Sequence, residues 1–151
     1  MKNIIEAIAS NKAVLTGEPV YITDIYDCNA DFVLDDFPEI PEQVMYFYSE
    51  INGFNYNGIE IFSMDSESTI DFGTNYKIKD IVIFNRQLYS GRKWPFEKKY
   101  IFLGRFDEDY IAYNPIDEKY QVLAREDFMV YEEYEDFISL LETVMTLRGI
   151  R

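Results

Sequence analysis

The sequence predicts a single α+β domain, an antiparallel sheet with helices packed against one face. Apolar residues recur at helical spacing near both ends, over 2–10 and 132–150, and again over 41–52. Apolar runs bounded by turn residues fill the middle, from 58 to 124. The chain of 151 residues is long enough for one core and too short for two comfortable ones, and no repeat or Pro/Gly/Ser-rich linker divides it.

Each element follows from its residues. Ile4, Ile5 and Ile8 set a short amphipathic helix, and Thr16-Gly17-Glu18-Pro19 breaks the chain after it. Residues 22–33 stay ambiguous: Ile22, Ile25 and Tyr26 suggest a helix turn, while Asn29 and Asp31 weaken it. Over 41–52, Val44, Phe47, Tyr48 and Ile51 fall on one helical face. Pro41 suits the first turn, Glu42 favours the positive end of the dipole, and Asn52-Gly53 can close the helix in a left-handed conformation. GIEIFS, 58–63, reads as a strand and the polar stretch 64–76 as a loop. Residues 78–88 allow strand or helix, and Asn85-Arg86-Gln87 favours helix.

Residues 100–124 read as a three-strand antiparallel meander. Its strands are YIFLG (100–104), YIAY (110–113) and KYQVLA (119–124), with Asn114 to Glu118 supplying the turn chemistry of the second bend. In the tail, Tyr134, Phe137, Ile138, Leu141, Val144 and Met145 form the stripe of a final helix, with acids crowding its start, Arg148 in its last turn and Gly149 as its cap.

Composition removes several function classes. Histidine is absent and Cys28 is the single cysteine, so Ser-His-Asp and Cys-His sites, His-based zinc sites and disulfide frameworks within the chain are excluded. Cys28 reads as a small buried side chain. No GxGxxG or GxxxxGK[ST] loop occurs. No apolar run approaches the ~20 residues of a membrane span, and the N-terminus lacks the apolar core of a signal peptide, so a cytoplasmic protein is expected. Twenty-eight acids against 14 bases give a net charge of −14. Such a surface repels nucleic acid and anionic lipid and attracts a basic partner; the alternative is ordinary solubility.

Several segments together resemble the SUKH superfamily, in its YrhA-like branch. Ile40-Pro41, the aromatics of the following helix, and Ile51-Asn52-Gly53-Phe54 are similar to its first signature. Gly58 to Phe62 resembles its first core strand. Trp94-Pro95, Ile101 to Gly104 and Asp109 to Tyr113 resemble its central hairpin, and Phe137 to Leu141 with Val144 its closing helix. The likeness is strongest over 40–147; Ile40 replaces the usual leucine, and residues 1–39 match poorly. The resemblance implies a curved antiparallel sheet with flanking helices. It also implies a non-catalytic immunity protein that neutralises a cognate polymorphic toxin, often a nuclease, or else an intracellular protein- or peptide-binding module with no toxin partner. Neither role requires a cofactor or a metal, and a monomer or weak dimer is expected.

The acidic knot Asp107-Glu108-Asp109 reads as a wet hairpin tip whose three carboxylates titrate near ordinary values. A calcium loop beginning at Asp107 would place Ala112 where its turn glycine belongs, so metal binding or carboxylate catalysis stands as the lesser reading. Glu126, Asp127, Glu132, Glu133, Glu135 and Asp136 form an acidic run, either a solvated helix start or a face for a basic toxin. Alternation in the meander points Tyr110 and Tyr113 to opposite faces, with Tyr113 expected in the core and Tyr110 more exposed. Trp94, beside the basic patch Arg92, Lys93, Lys98 and Lys99, is either a lid on the core or an interface anchor. The candidate partner-binding set is Trp94, Asp107, Glu108, Asp109, Tyr110, Glu132, Glu133 and Glu135.

Overall fold

Asn57 and Gly58 both take positive φ, 45° and 90°. Only a two-residue turn of the kind that matches strand twist uses such a pair, and Asn-Gly is its favoured sequence. It joins β2 (Asn52–Tyr56) to β3 (Ile59–Ile61). In the computed structural model, which describes residues 2–64, 78–91 and 93–149, this hairpin belongs to a seven-stranded antiparallel sheet. The other strands are β1 (Leu15–Gly17), β4 (Ile101–Phe106), β5 (Asp109–Asn114), β6 (Lys119–Leu123) and β7 (Val130–Tyr134). Their spatial order is their chain order, β1 to β7, and the sheet is curved and open rather than closed into a barrel. Among the described residues five helices flank it: α1 (Lys2–Ser10), α2 (Ile22–Leu34), α3 (Glu42–Glu50), α4 (Ile81–Tyr89) and α5 (Phe137–Leu147). The fold is α+β, as the sequence predicts.

Helices pack on both faces of the sheet, not one. On the first face Phe47 of α3 meets Phe54 of β2 at 6.3 Å and Phe137 of α5 at 5.5 Å, and Phe137 meets Tyr120 of β6 at 5.6 Å. Phe47, Phe54 and Phe137 are fully buried. Each such ring contributes roughly 1.5–3 kcal/mol through burial. On the opposite face lies a second aromatic core. Phe102 of β4 and Tyr110 of β5 are 5.3 Å apart, and Phe84 of α4, Trp94 and Phe128 close over them.

Helix α4 also completes the sheet where β3 stops. The Tyr89 hydroxyl accepts from Tyr100 N–H at 2.7 Å and donates to Tyr100 C=O at 3.0 Å. Four residues earlier, the Asn85 amide accepts from Phe102 N–H at 2.8 Å and donates to Phe102 C=O at 2.9 Å. Two side chains one helical turn apart thus satisfy Phe102 of β4 and Tyr100 just before that strand, in place of a neighbouring strand. This accounts for Asn85, which is fully buried.

Several boundaries differ from the sequence reading. Residues 22–33 are helical, as part of α2. Pro41 is the residue before α3 rather than inside its first turn, and the helix ends at Glu50. Asn52-Gly53 therefore enters the sheet instead of capping the helix, although Gly53 does take positive φ, 73°. The Asn52 side chain donates to the carbonyls of Glu18 and Met64 and accepts from Met64 N–H at 2.6 Å, which ties three segments together. Residues 130–134 form β7, not the start of the last helix. That helix begins after Asp136, whose carboxylate accepts from Ser139 N–H at 2.7 Å. The expected loop at 64–76 lies outside the described residues apart from Met64.

Candidate functional site

The chain crosses from β4 to β5 through Asp107 and Glu108, so the acidic knot is a hairpin tip. Asp107 takes a φ of 56°, its N–H donates to Gly58 C=O at 2.7 Å, and its carboxylate pairs with Arg148 just past the end of α5. The Arg148 guanidinium also lies 4.8 Å from the Phe106 ring. One of the three acids is thus anchored to a base. Asp109 departs from the expected ordinary titration: its carboxyl is raised, first by burial and then by the charges of Asp107 and Glu108. Among the described residues, no group of three or more acidic or cysteine side chains is arranged to hold a metal ion.

Tyr110 and Tyr113 exchange their expected places. Tyr110 is 6% exposed, under Phe84, Phe102 and Phe128, with Arg125 5.9 Å from its ring. Tyr113 is half-buried and lines an open groove. Alternation separates the two tyrosines correctly, but both faces of the sheet are covered, and the cover over Tyr110 comes from segments distant in sequence. Tyr110 is therefore withdrawn as a surface contact. Trp94 is a lid: its ring lies 4.6 Å from Tyr89 and 4.7 Å from Phe128, and its buried indole N–H has no partner among the described residues.

Of the second run, Glu132 and Glu133 lie on β7, the last strand of the sheet, Glu126 and Asp127 come before it, and Glu135 and Asp136 follow it. Glu132, Glu133 and Glu135 are exposed, as are Glu126 and Asp127 in the turn that precedes the strand. Local partners hold some of them: Glu135 pairs with Lys119, Glu132 accepts from the Tyr134 hydroxyl, and Glu133 accepts from the Gln121 amide at 2.6 Å. Met129, Val130 and Tyr131 are exposed beside them, at 60%, 45% and 59%. The sequence reading missed these three because it placed the segment before a helix. The β-branched Val130 and aromatic Tyr131 were the available signal.

The register shows which candidates meet. Tyr110 pairs with Leu123, and Leu123 with Val130, so the tip at 107–109 and the turn at 124–129 share one end of the sheet. Tyr113, Tyr120 and Tyr134 are successive partners, so Glu133 and Glu135 lie toward the opposite end. Trp94 covers a face between them. The eight predicted residues therefore form no single patch; the continuous feature is the acidic edge from Glu126 to Glu135.

Concavities lie elsewhere among the described residues. An open groove of about 850 Å³ is lined by Phe37, Pro38, Ile40, Tyr113 and Pro115, with Lys98 and Lys99 on its rim. A recess of about 350 Å³ gathers Asp24, Asp27, Asp31 and Asp80 around Cys28 and Arg86. Burial, reinforced by Asp80 and Asp31, pushes the Cys28 thiol far up, so it stays protonated and unreactive at neutral pH. No helix among the described residues is long and apolar enough to cross a membrane. Comparison of the chain with protein-family models, with curated proteins and with solved structures finds no match.

Proposed function

We propose that this chain is a non-catalytic immunity protein of SUKH type that binds and neutralises a basic toxin domain, such as a nuclease. The observation that carries the reading is the edge at β7. Five acids exposed from Glu126 to Glu135 flank three exposed apolar residues, Met129, Val130 and Tyr131, on a chain of net charge −14. Apolar anchors supply affinity, and the surrounding charge speeds encounter and selects partners of opposite sign. Occupying a toxin's basic substrate surface excludes its substrate, and no reacting group is required of the inhibitor. The motif resemblance over 40–147 supports the same role.

The test is co-purification with the polypeptide encoded immediately upstream, its catalytic residues disabled, at low and high salt. A one-to-one complex that weakens as salt rises is expected. No complex at either salt overturns the toxin-binding reading. A second reading, a general intracellular binding module, rests on a separate observation: Ile22 and Tyr26 of α2 and Met45 and Tyr46 of α3 line a small apolar groove, with Tyr21 and Leu34 also exposed nearby in the chain. A partner held there would bind with little salt dependence.

A further inference from the structure

The edge of β7 is more than a charged surface. It ends the sheet, and its five residues read exposed, exposed, exposed, exposed, half-buried. Such a strand presents unpaired backbone donors and acceptors, which pair readily with another extended segment. Their positions follow from the register. Ala124 N–H donates to Met129 C=O at 2.8 Å, so the backbone groups of Met129 face β6. Alternation then turns those of Val130 outward. Phe102 gives its backbone groups to Asn85, so Ala112, opposite it, turns its own to Gln121, and Glu133, opposite Gln121, turns outward as well.

Resting on the reading that the partner is basic, we propose that β7 receives an extended, lysine- or arginine-rich segment of that partner as an eighth strand. Charge rules out a second copy of this chain as the occupant: β7 against β7 would set Glu132, Glu133 and Glu135 against their own kind, and like charges across a strand pair are destabilising. A further feature points to an incoming cation. Gln121 is 2% exposed, and while its Nε2 donates to Glu133, its Oε1 has no partner among the described residues. A guanidinium or ammonium drawn to Glu133 reaches this acceptor beside it. Tyr131 and Met129 then flank the added strand as apolar contacts.

The test uses two synthetic ten-residue peptides, one alternating lysine with valine, the other glutamate with valine, and residue-resolved amide exchange on the whole chain. The lysine peptide is expected to slow exchange at Val130 and Glu133 by roughly tenfold or more while the glutamate peptide leaves them unchanged. The double variant Glu132→Lys, Glu133→Lys is expected to reverse this preference, with unchanged β5 exchange showing that it folds. A lysine peptide that fails to bind, or that binds without slowing exchange at Val130 and Glu133, overturns the proposal. The two readings fail separately: the peptide needs no toxin, so an absent toxin complex bears on the immunity role alone. A toxin complex that leaves β7 exchange unchanged overturns the added strand alone.

Discussion

The two edges of the sheet solve one problem differently. At β1 only three residues pair, the register shifts between Thr16 and Gly17, and Glu18-Pro19 ends the strand. The Asn52 amide ties Glu18 down. That edge is blocked to any visitor, because a short irregular strand before a proline gives nothing to extend. At β7 four of the five residues are exposed, and charge guards them. A steric guard excludes every partner; an electrostatic guard excludes by sign, and so leaves an edge usable by one class of partner.

Breaking the blocked edge has the largest expected effect. Asn52→Ala strips partners from Met64 N–H, Met64 C=O and Glu18 C=O around a residue 1% exposed, and should cost about 3 kcal/mol, read as a lower urea midpoint. Gly17→Val acts through volume. A Cβ there would stand 2.3 Å from the Asn52 carbonyl oxygen, so β1 must move away from β2, at about 2 kcal/mol by the same measurement. The open edge should behave oppositely. Tyr131→Ala, at an exposed site, should change stability by less than about 0.5 kcal/mol. Under the proposed function it should nonetheless weaken binding of the basic partner about tenfold or more in calorimetry, as loss of an aromatic anchor does.

The smallest effect tests whether crowding of acids at the tip opposes folding. The folded Asp109 carboxyl is raised above its ordinary value of 3.8, by burial and then by Asp107 and Glu108. A raised carboxyl contributes stability below its unfolded pKa and loses it as pH rises through the folded one. Asp109→Asn should therefore raise Tm slightly at pH 7, and the advantage should vanish below about pH 4, where both forms are neutral.

Much of this was legible before the structure, and the losses have causes. The helices over 2–10 and 42–50, the meander and its acidic tip follow from local periodicity and turn chemistry. Asn57-Gly58, between Phe54-Asn55-Tyr56 and Ile59-Glu60-Ile61, was an equally readable hairpin signal; reading the strand as starting at Gly58 obscured it. β7 was hidden because Glu132, Glu133 and Glu135 suit the first turn of a helix as well as a guarded edge, and only Asp136 marks the boundary. The second aromatic core was not legible at all. Phe128 takes a φ of 59°, rare for an aromatic residue, to place its ring among Trp94, Phe96, Phe102 and Tyr110. No local pattern announces a contact of that kind.

The unbroken strand order from β1 to β7 also bears on how the chain folds. Four pairings, β2–β3, β4–β5, β5–β6 and β6–β7, join strands separated by a turn, while β1–β2 and β3–β4 are interrupted by helices. Local hairpins close within roughly 1–10 μs, so the rate should be governed by β3 finding β4, with α4 docking beside them. The pair of buried Glu60 with half-buried Arg105 bridges those two strands. Substitutions there should slow refolding in stopped-flow traces, whereas substitutions in the β6–β7 hairpin should mainly speed unfolding.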